Sequence, residues 1–86
     1  MDKKYHPFAM IEHFGLESQE NMLIEEMSEL TKELCKKKRG LKHNIIEEIV
    51  DVQIVLEQII TVLNTEELKK IKNVKIRRLE KMLNEA

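Results

Sequence analysis

The chain has 86 residues, of which 42% are hydrophobic, 36% charged and only 3% aromatic, with two glycines and one proline. A chain this long makes one domain, and so little Gly and Pro beside so much Leu, Ile, Glu and Lys excludes a β fold in favour of an all-α one. With 15 basic against 16 acidic residues the net charge is −1, which lacks the basic, aromatic-studded stripe that nucleic-acid binding demands.

Residues 7 to 14, "PFAMIEHF", predict a short first helix with Pro7 in its first turn and Gly15 as its stop. Ser18 is a good N-cap for a second helix running to about Arg39, where Gly40 takes the position after the C-cap and "KKKR" complements the helix dipole. Leu23, Met27, Leu30 and Leu34 mark its apolar stripe. A third helix starts near Asn44, with Glu47 three residues on in the form of a capping box. It is apolar around most of its circumference, and a helix of that kind must be covered on several sides. Thr65 caps a fourth helix from 66 to about 84, with a sparser stripe of Leu68, Ile71, Val74, Leu79 and Met82 on a basic surface.

The expected architecture is a single domain over residues 1–86, an antiparallel bundle of about four helices. A chain this short can hardly surround its third helix alone, so a homodimer or homotetramer is expected to complete the bundle. The lone Cys35 excludes an internal disulfide framework and fits a reducing compartment. With no apolar run long enough for a secretion signal or a bilayer span, the expectation is a cytoplasmic protein without a membrane partner.

The chemistry lies in acids. Glu26 and Glu29 on the second helix, and Glu48 and Asp51 on the third, are each spaced i and i+3, so each pair shares a face. One row runs Met22, Glu26, Glu29, Glu33; its counterpart runs Asn44, Glu48, Asp51, Val55, Gln58, and each borders an apolar row. No Lys or Arg stands four positions beyond any of these four acids. Partly buried carboxylates without partners cost several kcal/mol unless they protonate or meet a cation. Oxygen ligands suit Mg²⁺ or Mn²⁺, and the lack of neighbouring His or Cys argues against zinc. Spacing thus reaches a divalent-metal site between two helices, against the alternative of a solvated acidic face, and reaches no reaction.

"EEMSE" (25 to 29), followed after 18 residues by "EIVD" (48 to 51), resembles the EExxE…ExxD signature of the MazG-like, all-α nucleoside triphosphate pyrophosphohydrolases. The likeness runs over about residues 12 to 83, through "HFGLESQENMLIEEMSEL", "EEIVDVQIVLEQI" and "KIKNVKIRRLEKML". It implies that Glu26, Glu29, Glu48 and Asp51 bind Mg²⁺. The same resemblance implies that Glu29 also acts with Glu25 in catalysis, Glu25 orienting water or else simply facing solvent. In "NVKIRR" it implies that Asn73, Lys75 and Arg78 hold substrate phosphates. Gln19, a polar residue ahead of the acidic motif, is assigned to the substrate. The implied reaction hydrolyses a nucleoside triphosphate to monophosphate and pyrophosphate, in the service of nucleotide-pool house-cleaning. Phe8 and Phe14 are expected in the core rather than against a base. The competing reading is a non-catalytic oligomerisation module, or a sensor that binds nucleotide or metal without turnover.

Overall fold

In a computed structural model, which describes residues 3–85, the chain forms four α-helices: α1 (Pro7–Phe14), α2 (Leu16–Lys38), α3 (Ile45–Ile60) and α4 (Thr65–Glu85). No strand occurs among the described residues. The all-α class is therefore observed.

Gly15 is the only residue between α1 and α2, and its φ of +91° explains why glycine stands there. Its N–H donates to the Ile11 carbonyl at 2.8 Å while its own carbonyl accepts from Gln19 at 3.3 Å, ending one helix and opening the next. The second helix accordingly starts at Leu16, ahead of the expected Ser18 cap. At its other end Gly40, at φ +72°, donates to the Lys37 carbonyl, and Leu41 donates to that of Lys36. Those two bonds form a Schellman closure that consumes carbonyls left over at a helix end.

The next two caps differ from expectation. Asn44 stands at the N-cap of α3, but its side chain makes no capping bond and no capping box forms. Instead the carboxylate of Glu33, reaching across from α2, accepts from the Asn44 N–H at 3.0 Å, and His43 Nδ1 accepts from the Ile45 N–H at 3.4 Å. At α4 the cap is Asn64, whose Oδ1 accepts from Glu66 and Glu67 N–H at 3.0 and 3.1 Å, and Thr65 is already helical.

Helices α1, α2 and α3 pack on one another, whereas α4 makes no substantial contact with any of them. The bundle within one chain is therefore three helices and an arm. Its radius of gyration is 16.6 Å, against roughly 12 Å for a compact domain of this length. The accessible surface is 7545 Å², where a compact chain of this mass shows about 5,300 Å². Much of the surplus is apolar. Ile71, Val74, Leu79 and Met82 of the α4 stripe are exposed, and so are Ile46, Ile49 and Leu56 of α3. Phe8 and Phe14, expected in the core, are exposed as well, Phe14 on the wall of an open cavity shared with α2 and α3. An apolar groove of about 530 Å³ runs along the α3–α4 turn past Leu63, Leu68 and Ile71. Among the described residues no helix is long and apolar enough to cross a membrane.

Candidate metal centre and adjoining cavity

Helices α2 and α3 lie antiparallel, and their facing rows meet rung by rung. Gln19 bonds to Gln58, Met22 and Val55 line one cavity, Glu26 meets Asp51 with Glu48 beside it, and Glu33 bonds to Asn44. Steps of three and four residues keep a row on one face of a helix, so each row delivers its side chains to the same interface. This polar line is the centre of the α2–α3 contact rather than its edge. Gln19, Glu33, Val55 and Gln58 are buried, while Met27 and Ile49 of the bordering apolar rows stay exposed.

The outer rungs are satisfied. Glu33 is 5% exposed and pairs with Lys36 at 2.9 Å in addition to capping α3. The Lys36 hydrogen bond first, and the Asn44 N–H second, hold its carboxyl below the usual carboxylate range.

The middle rungs are not. One carboxylate oxygen each from Glu26, Glu48 and Asp51 lie within 4.8 Å of one another, and all three residues are half-buried. No ion pair reaches Glu25, Glu26, Glu29, Glu48 or Asp51 among the described residues. Burial first, then repulsion from Asp51, Glu25 and Glu29, raises the carboxyl of Glu26 above its ordinary value. Glu48 is raised in the same way, by burial and then by Asp51, Glu26, Glu29 and Glu47. Glu29, exposed on the next turn of α2, stands close enough to load both carboxylates without belonging to the trio. Glu25 is exposed and acts on Glu26 alone.

The donor set fits a hard divalent ion. Adjacent ligands of an octahedral Mg²⁺ lie about 3.0 Å apart and opposite ones about 4.2 Å, given bonds of about 2.1 Å, so oxygens within 4.8 Å of one another have to draw together by side-chain rotation to share one ion. Three carboxylates also leave positions for water and phosphate oxygens, as Mg²⁺ sites commonly do.

A cavity of about 340 Å³ opens beside the trio, with Glu26 and Asp51 at its rim. Met10, Phe14, Met22 and Ile54 form its walls, and Gln19 and Gln58 line it as well. Gln19 Nε2 donates to Gln58 Oε1 at 2.7 Å, and Gln58 Nε2 donates to the Tyr5 hydroxyl at 3.4 Å, which ties the N-terminal segment to α3.

No family model, curated protein or solved structure matches this chain.

Of the residues expected to carry function, three of the four metal ligands converge, Glu29 stands next to them, and Gln19 lines the adjoining cavity. Asn73, Lys75 and Arg78 lie exposed on α4, and within a single chain no substantial contact joins that helix to α2 or α3. Lys75 and Arg78 share a groove of about 300 Å³ on the arm. Three roles went unassigned in the sequence: the cap by Glu33, the amide partner Gln58 and the aromatic wall Phe14. Gln58 does fall on the Asp51–Val55 row, so the signal for it was a second buried-side amide at the level of Gln19.

Proposed function

We propose that the protein is a Mg²⁺-dependent nucleoside triphosphate pyrophosphohydrolase, working as a homo-oligomer that releases a nucleoside monophosphate and pyrophosphate. The observation that carries this reading is the convergence of Glu26, Glu48 and Asp51 within 4.8 Å, with no ion pair to them among the described residues, beside a cavity that Glu26 and Asp51 line. The likeness of EEMSE…EIVD to the MazG-like signature supports it independently, since it singles out the same residues by pattern.

Glu26, Glu48 and Asp51 would hold the ion, and Mn²⁺ has the same ligand preferences. When bound, the ion supplies neutralisation of the negative charge that gathers on phosphate oxygens during transfer. The residues of the chain divide the rest. Glu29, exposed, without an ion pair among the described residues and next to the trio, would accept the proton of the attacking water. Glu25, facing solvent one residue before Glu26, is left to orient that water. The cavity takes the nucleoside, and its apolar walls keep bulk water away from that part of the substrate.

Lys75, Arg78 and Asn73 need a second copy to take part. The roughly 2,200 Å² by which the chain exceeds a compact surface is of the size that obligate homodimers bury. Much of it lies on α4 and the exposed rows of α3. Docking the α4 arm of one copy over α2 and α3 of another would cover the apolar faces. It would also bring the basic side chains to the acids, where they hold the departing pyrophosphate.

The test is product analysis on a panel of nucleoside triphosphates, with Mg²⁺ and with EDTA, for the wild type and Asp51→Asn. Metal-dependent release of monophosphate and pyrophosphate, reduced by at least about 10²-fold in the variant, is the expected result. Mg²⁺ binding without turnover on any triphosphate would turn the reading to a sensor. No Mg²⁺ binding at all would leave an oligomerisation module with solvated acids.

A further inference from the structure

The cations of α4 fall into two sets. Lys72, Lys75 and Arg78 each have an apolar residue four positions before and four after: Leu68 and Ile76, Ile71 and Leu79, Val74 and Met82. Neighbours at that spacing share a helix face, so these three cations stand within the apolar stripe rather than beside it. Lys69, Lys70, Arg77 and Lys81 each have at least one polar residue at those positions. Lys72 and Lys75 line the apolar groove of about 530 Å³, and Lys75 and Arg78 share the neighbouring one with Lys70. The three therefore form a continuous series along the face. Nothing local neutralises them. They are spaced by three, and the next residues at that spacing on either side are Lys69 and Lys81. Like charges so placed destabilise a helix. No acid stands three or four positions from any of the three, and no ion pair reaches them among the described residues.

Covering that face with a second copy takes the three charges out of water, and a buried charge without a partner is strongly unfavourable. The acids cannot match them alone. Four carboxylates, Glu29 counted with the trio, and one divalent ion leave a net −2 against the +3 of Lys72, Lys75 and Arg78. The phosphates of a nucleoside triphosphate supply the missing anions, and ammonium and guanidinium groups are donors suited to them.

We propose that Lys72 is a third phosphate-binding cation of the site, acting with Lys75 and Arg78 from the α4 arm of a second copy. This inference rests on the nucleotide reading above and adds a residue to that same site. Lys69, Arg77 and Lys81 have no part in it, since the winding of the helix carries them away from the apolar face.

Calorimetry with inorganic tripolyphosphate in Mg²⁺ tests it on the wild type, Lys72→Met, Lys72→Arg and Arg77→Met. Tripolyphosphate carries no base, so the result does not depend on which nucleoside the cavity prefers. Methionine keeps an unbranched apolar stem in the face and removes the charge. Lys72→Met should bind about tenfold more weakly than the wild type, the scale of one hydrogen bond between charged groups, while sedimenting as the wild type does. Lys72→Arg, which keeps a charged donor, should stay within a factor of about two of the wild type. Arg77→Met, a charge lost from the outer side, should do the same. Wild-type affinity in Lys72→Met overturns the proposal and leaves that ammonium in water beyond the face. Equal losses in Lys72→Met and Arg77→Met overturn it too, by reducing the effect to net charge. A loss shared by Lys72→Arg, or accompanied by altered sedimentation, assigns the effect to packing and also overturns it. In each of these cases the phosphate site stands. Failure of the wild type to bind tripolyphosphate at all overturns the nucleotide reading and this inference with it.

Discussion

Glu33 and Glu48 are carboxylates on facing helices, about one turn apart along one interface, and their environments drive them in opposite directions. Glu33 gains Lys36 and a helix N-terminus, so its folded-state pKa is lowered. A lowered carboxylate contributes stability that is present above the ordinary value of 4.5 and is lost as pH falls through the folded-state value. Glu33→Gln should therefore lower the melting temperature at pH 7, with the deficit shrinking toward pH 3. Thermal scans across that range check it, and an unchanged deficit at pH 3 would assign the loss to packing. Glu48 and Glu26 are raised, so in the metal-free protein they favour folding most at acid pH, and that support is lost as pH rises from 4.5 through their folded-state values. Glu48→Gln should raise the melting temperature in EDTA at pH 7. The same change should reduce the rise that Mg²⁺ produces through preferential binding to the folded state. Identical Mg²⁺ shifts in wild type and variant would remove Glu48 from the site. The sequence does not distinguish Glu33 from Glu29 or Glu26, since all three occupy one row. What separates them is the residue opposite, an unsatisfied backbone N–H for Glu33 and more acid for the others.

The helical elements themselves were legible, with boundaries within a few residues, because long 3.6-residue periodicity and glycine stops dominate this sequence. The caps were not. Ser18, Asn44 and Thr65 all have capping side chains, yet the working caps are the Gly15 backbone, Glu33 and the neighbouring Asn64. Local preference placed each helix start within three residues, but the capping group of α3 comes from Glu33, 11 residues away on the facing helix. The two positive-φ glycines are the points where the backbone itself is specified. Adding a Cβ at either meets nothing within 4 Å, so the cost of alanine there is conformational only. Gly40→Ala should destabilise by about 1 kcal/mol, the usual cost of a left-handed alanine, or roughly 4–8 °C in melting temperature for a domain of this size. Gly15→Ala should cost more, since φ +91° with ψ 153° lies in a region that is essentially glycine's alone. A chemical-denaturation series ranks the two, and an equal or reversed order would contradict that backbone account.

At the scale of the whole molecule, the convergence of the acid trio was legible in the sequence, while the basic residues expected to act with it are not joined to it within one chain. Both acidic pairs announce themselves by i,i+3 spacing, and the antiparallel turn between α2 and α3 does the rest. Asn73, Lys75 and Arg78 sit on an arm whose partner no single sequence supplies. If the arm of one copy serves the acids of another, two defective variants should repair each other. Mixing Asp51→Asn with the double variant Lys75→Ala, Arg78→Ala, then unfolding and refolding together, should yield hybrids that hydrolyse triphosphate although neither parent does. Each hybrid dimer keeps one site with both halves native, so activity near a quarter of wild type is the ceiling for random pairing, with half the dimers hybrid and one of two sites intact. No recovery, with hybrids demonstrated by mass, would mean that acids and bases act within one chain. Sedimentation at micromolar concentration provides the companion check, with a monomer counting against the shared arrangement.

The rung-by-rung meeting of α2 and α3 also makes the site a matter of helical phase. Amide pair and acid trio are locked together only because the number of residues between Asp51 and Gln58 matches that between Gln19 and Glu26. One residue inserted into α3 between them would turn everything beyond it by about 100° and shift it by about 1.5 Å, uncoupling the amide pair from the acid trio. Four inserted residues nearly restore the rotation but displace the amides by a full turn, so that the acids would be served by a cavity of the wrong length. An insertion after Lys42, in the loop, leaves both counts untouched. The stretch of α3 between the two polar clusters thus works as a fixed ruler for the distance from the acid trio to the amide pair, and the loop does not.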